Sequence, residues 1–556
     1  MLHANTTHMD NREVAALFRE LAALMDIMGE NPFKIRSYEQ AYRNIRGMEG
    51  NVLHFDNSEL SKLPGFGKAI IGKIEEIKKK GTFDTLERYR SQVPKGIVEI
   101  SRVSGLGAKK VKEIMKMGIT SLEELLQAAE DGRLTSIKGI SHKSVAKFIP
   151  SIQYLIASRG KVLFSEAETI SQKVMKRLKT HFPSIRMEVT GPIAAFENVI
   201  SRIEILIELK LEQFVTVLQE ENLKLKVEGD HIIWEEEEIP VILHFSSAER
   251  FGNNFFEFTA SSEFKLRLKE LADVDAPVKN WEDIFRNNNF PVIEPELWHD
   301  DHYISTAIDG KLPELIEIND IKGLVHLHTK YSDGTVSLEG MIQAAIQRGF
   351  EYIVVTDHSQ SAGYAGGLKI NRLNDQWKEI EYLREKYTQI DIYKGIESDI
   401  LKLGTLDYPD EILSAFDIVI GSIHSGLDMD KSTATDRLIR AIEHPQLRIL
   451  GHMTGRLLLR RKGYPVDHLA IIEACAAHNV VIEINANPRR LDIDWRWVQE
   501  AIRQGVKLSI QPDAHSIKGI SDIYYGVKAG RKGGLSSTHN LTSLSREDFK
   551  DWVSLT

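Results

Sequence analysis

The feature that most constrains this chain is residues 320–334, where two histidines stand one residue apart. The β-prone run Leu324–Leu327 overlaps them, so alternation along a strand predicts that His326 and His328 share a face. Asp333 follows in a turn. Two neighbouring imidazoles with a nearby carboxylate begin a metal site. Alone the pattern is weak evidence, because most His-x-His pairs are incidental.

Six further short apolar runs follow this stretch, most of them separated by helical patterns. The later predicted strands are Tyr352–Thr356, Ile392–Ile396, Ile418–Ser422, Arg448–Gly451, Val480–Asn485 and Val506–Ile510. The predicted helices between them include Leu338–Arg348, Arg372–Tyr387, Ala434–Glu443, Leu469–Ala477 and Trp495–Gln504. Strand–helix alternation predicts parallel strands in a barrel-like α/β architecture, where chemistry lies at the C-terminal ends of the strands.

Metal-capable side chains follow one predicted strand after another. Together with the opening stretch they are His326, His328, Asp333, His358, Glu397, His424, His452, Asp513 and His515. Scattered surface residues would not fall at successive strand ends. The pattern therefore predicts a cluster of metals that activates water and binds a phosphate during in-line hydrolysis.

These nine residues resemble the ligands of the PHP (polymerase and histidinol phosphatase) domain, and the resemblance covers residues 320–556. It implies a distorted seven-stranded (β/α)7 barrel with up to three divalent ions. It assigns one ion to a set that we expect to be catalytic, His326, His328, Glu397 and Asp513. It assigns the second to Glu397, His424 and His452, and the third to Asp333, His358 and His515. Zn²⁺, Mn²⁺ and Fe²⁺ all suit such ligands.

Charge is unevenly distributed along the chain. Residues 60–150 carry 18 Lys and Arg against 10 Asp and Glu, a net of +8, whereas the whole chain is at -9. A basic segment inside an acidic protein predicts contact with a polyanion, although a solvated helical face is the plainer alternative. One cysteine, Cys475, excludes an intramolecular disulfide framework and favours a reducing, cytoplasmic setting. No apolar run is long enough to predict a membrane partner.

The basic segment contains three similar turns between short helices: Gly65-Phe-Gly67, Gly105-Leu-Gly107 and the less regular Gly139-Ile-Ser141. They resemble helix-hairpin-helix motifs, which bind the sugar-phosphate backbone without reading sequence. The residues expected to contact DNA are Gly65, Gly67, Lys68, Lys73, Gly105, Gly107, Lys109 and Lys110, with Arg456 and Arg461 from the barrel region. Surface charge is an equally open interpretation for the two arginines.

Residues 1–95 further resemble the small lyase domain of family X DNA polymerases, and residues 96–155 form a second helix-hairpin-helix domain. Lys73 matches the position of the family's Schiff-base lysine. A lysine with a lowered pKa can attack the aldehyde of an abasic sugar. We favour the simpler interpretation that Lys73 is another phosphate contact.

Residues 156–310 resemble the nucleotidyltransferase-like palm and thumb of the same family, but the catalytic pattern is altered. The paired aspartates of the family appear as Arg202 and Glu204, and the third as Ile242. Ala194 and Ala195 occupy positions that are usually arginine. Two-metal nucleotidyl transfer needs those carboxylates. The resemblance therefore predicts no Mg²⁺ pair in the palm and a loss of polymerase activity.

The whole chain resembles the bacterial PolX family, with a degenerate polymerase module and an intact PHP module. The expected function is a monomeric, metal-dependent 3′–5′ exonuclease for DNA repair, acting on gapped, nicked or single-stranded ends. Two alternatives stay open. One is a small-molecule phosphatase of the PHP type, for which the DNA-binding repeats have no use. The other is a non-catalytic repair scaffold, for which the complete ligand set has no use.

Overall fold

The computed structural model describes residues 9, 11–48, 50–63, 65–218, 225–236 and 239–555. The chain divides into two compact units, residues 1–159 with 460–462, and residues 160–459 with 463–556. The finer division into four domains stays a prediction. Within the described ranges, no helix combines the length and the apolar character needed to cross a membrane.

The first unit is helical. Its helices are α1 (Asn11–Met28), α2 (Pro32–Arg46), α3 (Asn57–Ser61), α4 (Lys68–Lys80), α5 (Asp84–Gln92), α6 (Lys95–Ile100), α7 (Ala108–Lys116), α8 (Leu122–Glu130) and α9 (His142–Ala157). Apolar side chains at helical spacing form one continuous core, which includes Phe18, Ile74, Ile114 and Ile152. The predicted helical hairpin region is therefore confirmed.

The three predicted turns have the same backbone form. Gly65, Gly105 and Gly139 have φ angles of +84°, +86° and +87°, a left-handed conformation that favours glycine. Each turn leads into the first residue of a helix, α4, α7 or α9. In the third copy Ser141 replaces the second glycine and caps α9 by accepting the N–H of Ser144. In the third turn, a capping side chain therefore replaces the second glycine.

The second unit begins with a mixed α/β region. Its elements are β1 (Val162–Leu163), α10 (Phe164–His181), β2 (Met187–Thr190), α11 (Gly191–Ala194), β3 (Val199–Ile200), β4 (Ile203–Ile207), α12 (Leu211–Leu218), β5 (Leu225–Glu228), β6 (His231–Glu236), β7 (Ile239–Phe245), α13 (Phe251–Thr259), α14 (Ser262–Lys269), α15 (Glu282–Arg286) and α16 (His302–Ile308). A five-stranded sheet has the order β2-β4-β7-β6-β5, and only β4 and β7 run parallel.

The remainder is a parallel barrel of seven strands. Its elements are β8 (Gly323–Leu324), α17 (Leu338–Gln347), β9 (Tyr352–Val355), α18 (Ile370–Lys386), β10 (Asp391–Asp399), α19 (Asp410–Leu413), β11 (Ile418–Ser422), α20 (Lys431–Ile442), β12 (Leu447–Leu450), α21 (His468–His478), β13 (Val481–Asn485), α22 (Val498–Arg503), β14 (Leu508–Gln511), α23 (Ile523–Lys532) and α24 (Arg546–Ser554). Strands are ordered β8 to β14, and a parallel bridge between Leu327 and Ala514 joins the two ends.

Helix α23 packs the barrel against the mixed α/β region through buried charges. The carboxylate of Glu296 is 2.7 Å from Arg531 and 3.2 Å from Lys528. The fully buried Lys532 donates to the carbonyl of Ala195 at 2.6 Å and lies 3.0 Å from Glu197. Each buried charge has a partner. Removing one partner would therefore leave an unpaired buried charge and destabilise this contact.

Candidate metal centre

The structure brings all nine predicted ligand residues to one mouth of the barrel. Eight of them follow the C-terminal end of a strand, and Glu397 lies two residues before the end of β10, so all are near the mouth that parallel strands share. Buried side chains among them include His326, His328, Glu397 and His452, each at 1% exposure or less. The predicted convergence is therefore present, while the metal-binding role of each residue stays a prediction.

Glu397, on β10, is the centre of this cluster. Its Oε1 lies 3.1 Å from Nε2 of His452, 3.2 Å from Nε2 of His424 and 3.4 Å from Nε2 of His326. Its Oε2 lies 2.8 Å from Nδ1 of His358 and 3.6 Å from Nε2 of His328. One carboxylate surrounded by five imidazoles is an arrangement that suits bridging between cations.

Two further carboxylates extend the cluster. Asp513 Oδ1 is 3.2 Å from Nε2 of His328, and Asp333 Oδ1 is 3.3 Å from Nε2 of His515 and 3.6 Å from that of His358. Donor atoms within 4.8 Å of one another fall into three groups: His326, His328 and Asp513; His358, Glu397 and His424; and His328, Asp333, His358 and His515. Three groups agree in number with the three ions expected from the resemblance, although His328 and His358 each belong to two groups and His452 belongs to none.

Unsatisfied polar atoms test whether cations fit this mouth. Nε2 of His326, both ring nitrogens of His328 and both carboxylate oxygens of Glu397 are buried and have no hydrogen-bond partner among the described residues. Leaving such an atom unpaired costs about 1–3 kcal/mol. Nitrogen and oxygen atoms that converge without partners are the donor set of a divalent-metal site.

Two ligand residues have unusual backbone. His326 and Asp513 have φ angles of +62° and +51°, in the left-handed region. For a non-glycine residue this costs about 1–3 kcal/mol and persists where surrounding structure enforces it. The bridge that closes the barrel supplies that enforcement, because Ala514 N–H donates to His326 O and His328 N–H donates to Ala514 O. The hydrogen bonds that close the barrel therefore also hold His326 and Asp513 in position.

Sequence reasoning missed the carboxylates that orient the histidines. Glu483 Oε1 lies 2.5 Å from Nδ1 of His326, and Asp399 Oδ1 lies 2.5 Å from Nδ1 of His424. A carboxylate therefore holds each Nδ1, which leaves Nε2 as the ring nitrogen that faces Glu397. A charged residue inside the apolar run of β13 was the available signal for Glu483.

Burial and the surrounding charges divide these histidines into those with a lowered pKa and those with a raised pKa. Burial, reinforced by His515 and His358, lowers the pKa of His328 to about 3, and burial with Arg490 lowers that of His452 to about 3. Burial opposes protonation of His424 as well, but Glu397 and Asp399 raise its pKa to about 9. Surrounding histidines likewise outweigh burial and hold the pKa of Glu397 well below its usual value.

Two arginines near the mouth differ in their availability. Arg456, predicted to contact DNA, donates to the carbonyls of Arg490 and Leu491 and pairs with Asp494 at 2.5 Å. Its guanidinium is therefore engaged by the segment that follows β13. Arg490 instead has its Nε 3.5 Å from Asp513 Oδ2. Arg490 is the better placed of the two for a phosphate at the centre, and sequence reasoning did not select it.

The lysines of the helical unit are placed near its hairpin turns. Lys68 and Lys109 are exposed in the first turns of α4 and α7. Lys110 donates to Gly105 O at 3.2 Å and lies over the ring of Phe148. The predicted phosphate contacts thus surround two turns of one kind.

Lys73, the remaining predicted lysine, has its Nζ 5.4 Å from the ring centroid of Tyr38 and 5.8 Å from that of Phe83. Its DNA-contact role, like that of Arg461, stays a prediction.

The positions that the sequence predicts to be an altered palm site contain an internal network. Glu204 on β4 is buried, accepts from Arg202 Nε at 2.7 Å and lies 2.9 Å from Nε2 of His244. Ile242 is its register partner on β7. Burial raises the pKa of Glu204, but His244 and Arg202 outweigh burial and keep it below its usual value. Another acid of this region, Glu197, pairs with Lys532.

Family models match three parts of the chain. A helix-hairpin-helix domain matches residues 9–83, a SAM-like helix-hairpin-helix tandem matches residues 97–151, and a PHP domain matches residues 325–487. Helix-hairpin-helix modules indicate DNA binding, and the PHP domain with its clustered donors indicates divalent-metal binding. Fold and site together define a DNA-associated protein with a PHP metal centre.

Similarity to a whole protein makes the assignment more specific. The chain is 30% identical to the DNA polymerase/3′–5′ exonuclease PolX of Bacillus subtilis, over 98% of this chain and 99% of that protein. It therefore belongs to the PolX family. Probable phosphatases match a smaller part: one from Caldanaerobacter subterraneus is 31% identical over 29% of this chain, and one from Vibrio parahaemolyticus is 28% identical over 40%.

Proposed function

We propose that this protein is a divalent-metal-dependent 3′–5′ exonuclease that shortens DNA strands. The observation that carries the proposal is Glu397 at the centre of five imidazoles, with both of its oxygens unpaired in a buried mouth. A related protein of the same family is named a DNA polymerase/3′–5′ exonuclease, and it matches 98% of this chain.

The catalytic set consists of His326, His328, Glu397 and Asp513, with the other five donors completing up to three ion sites. Bound cations supply an activated water and neutralise charge on the phosphate. Zn²⁺, Mn²⁺ and Fe²⁺ remain equally suited by the donor chemistry.

Hydrolysis forms a bond between a water oxygen and phosphorus and breaks the bond from phosphorus to the 3′ oxygen of the preceding nucleotide. That oxygen takes up a proton, and a nucleoside 5′-monophosphate leaves. Arg490 contributes a guanidinium beside Asp513, where it can bind a phosphate oxygen. Glu483 and Asp399 keep their histidines in the tautomer whose Nε2 faces the centre.

The helix-hairpin-helix turns provide sequence-independent contact with the strand. Their exposed N–H groups and the lysines Lys68, Lys109 and Lys110 contact phosphates, which suits gapped, nicked or single-stranded ends in repair. A monomeric state, a cytoplasmic location and the four-domain division belong to the same proposal.

Polymerase activity is absent in this proposal. The carboxylate of Glu204 is paired with Arg202 and His244, and the neighbouring Ile242 has no atom that can bind a metal. One internally paired carboxylate cannot assemble the two cations of nucleotidyl transfer, so no Mg²⁺ pair is expected in the palm.

Incubating the protein with Mn²⁺ and a 5′-labelled single strand tests this function against its alternatives. An exonuclease gives a ladder of shortened labelled strands. A small-molecule phosphatase, favoured by the relatives that match the barrel region, hydrolyses p-nitrophenyl phosphate and leaves the strand intact. A scaffold binds the strand and releases neither product. Either of the last two results overturns the proposal.

A further inference from the structure

An exposed tyrosine stands at the rim of the metal mouth. Tyr364 lies in the short 3-10 turn Gly363–Ala365 and is 71% exposed. Its ring centroid is 6.1 Å from that of His358 and 6.3 Å from that of His424, at interplanar angles of 60° and 67°. The ring thus contacts two proposed ligands at steep angles and leaves most of its surface to solvent.

The loop that presents Tyr364 is fixed at both ends. Asp407, buried at 6% exposure, accepts the hydroxyl of Ser359 at 2.7 Å and the N–H and hydroxyl of Ser361. Gly367 lies so close to Ser359 that a Cβ there would be 1.9 Å from its carbonyl oxygen. The tyrosine therefore sits on a preorganised turn, which lowers the entropic cost of binding against it.

A second exposed aromatic shows what an ordinary surface tyrosine looks like in this unit. Tyr382, on α18, is 60% exposed and lies under Nζ of Lys386. It sits on a regular helix, and its ring contacts a lysine of the same helix. Tyr364 differs from Tyr382 because it lies in a short 3-10 turn and its ring is beside two proposed metal ligands. Single exposed aromatics need no special explanation, but this placement does.

We propose that Tyr364 is a stacking subsite for the base of the 3′-terminal nucleotide, a role that rests on the proposed exonuclease function. A base is one sugar away from its 5′ phosphate, so a phosphodiester among the ligands brings the base to the rim. Every base has a π-face, and stacking on tyrosine is therefore indifferent to sequence. A paired terminal base is already stacked in its duplex, so the subsite selects unpaired 3′ ends.

Paired substrates isolate this contact. One single strand ends in a normal 3′ nucleotide, and the other ends in a tetrahydrofuran abasic residue. We expect Tyr364→Ala with Mn²⁺ to lower kcat/KM on the normal end by about 5- to 150-fold, the usual range for removing one stacked base. On the abasic end we expect less than a ~2-fold change, because that end has no base to stack.

Two variants serve as comparisons. Tyr364→Phe keeps an aromatic face and should retain the preference for the normal end over the abasic end. Tyr382→Ala removes a tyrosine of similar exposure far along α18 and should leave both rates at the wild-type level. An equal loss on both ends in Tyr364→Ala would show that the ring only supports His358 and His424, and would overturn the proposal. No loss on either end would overturn it too.

A binding measurement keeps the subsite testable apart from catalysis. A strand with 2-aminopurine at its 3′ end loses fluorescence when that base stacks. We expect quenching by the wild type in Ca²⁺, and no quenching by Tyr364→Ala at equal saturation with DNA. If the wild type cuts no strand yet quenches through Tyr364, the exonuclease function fails and the subsite stands. If it cuts strands and neither protein quenches, the subsite fails and the function stands.

Discussion

Glu483 Oε1 lies 2.5 Å from Nδ1 of His326, and the second oxygen of the same carboxylate accepts the backbone N–H of His452 at 2.5 Å. One fully buried acid therefore orients two residues that contact Glu397. Asn485 donates to Glu483 and to Asp513, each at 3.2 Å. The residues of the mouth are therefore connected through Glu483 and Asn485 as well as through Glu397.

We expect Glu483→Gln to lower the affinity for Mn²⁺ or Zn²⁺ by about 10- to 100-fold, since the amide no longer fixes the His326 tautomer through a charged acceptor. Calorimetric titration of metal into the metal-free protein measures this. Glu473→Gln, an exposed glutamate on α21, is the matched control. Equal affinities in all three proteins would remove Glu483 from the metal centre.

The histidine pair is expected to be essential for hydrolysis and dispensable for DNA binding. His326→Ala with His328→Ala removes donors from two groups of the mouth, so nuclease activity with Mn²⁺ should fall by at least ~100-fold. Fluorescence anisotropy with a labelled strand should show unchanged affinity. His478→Ala, exposed at the end of α21, controls for loss of a histidine. Undiminished digestion by a folded double variant would contradict the assignment.

Sequence alone predicted the barrel well because buried parallel strands read as short apolar runs. All seven predicted strands are present. The ligands could be predicted because they lie close to the C-terminal ends of those strands. The orienting acid could not be paired with its histidine, because Glu483 and His326 are 157 residues apart and only the closed barrel joins them. The pairing of Arg456 could not be predicted for the same reason, and its DNA-contact role stays a prediction. Its partner Asp494 is 38 residues away along the chain, so the sequence does not show that the two side chains pair.

Charge reversal at the second hairpin is expected to weaken DNA binding for all sequences alike. Lys109→Glu with Lys110→Glu should also flatten the logarithmic salt dependence by about one to two units, about one for each phosphate that the protein no longer neutralises. Lys112, part of the same basic run, donates to Met28 O and is excluded because its change would disturb packing. Lys116→Glu, at the opposite end of α7, is the control. Identical affinity and salt slope would indicate a merely solvated face.

Acid should destabilise the second unit through His299. Burial, with help from Lys532, lowers the pKa of His299 to about 4, below the usual 6.5. The folded state therefore disfavours protonation. The stability contribution is complete above pH 6.5 and is lost as pH falls towards 4. Urea unfolding of wild type and His299→Gln should diverge by about 2–3 kcal/mol over that window, after allowance for partial exposure. Parallel curves would contradict this role.

The altered palm should be unable to add nucleotides to a primer. Two-metal transfer needs carboxylates that bring both cations to the primer end and the triphosphate. Here Glu204 is engaged by Arg202 and His244, and its neighbour across the strands is Ile242. A guanidinium repels a divalent cation, and an isoleucine cannot ligate one.

Primer extension tests this in the double histidine variant, where degradation cannot hide synthesis. With a gapped template, all four nucleotides and either Mg²⁺ or Mn²⁺, we expect no extension above a no-enzyme lane. Substituting Arg202 with Asp frees Glu204 from its cation but leaves Ile242 in place, so extension should still be absent. A family polymerase with its acids intact confirms that the template is competent. Addition of even a few template-correct nucleotides by the double histidine variant would mean that other acids of the palm bind the metal pair.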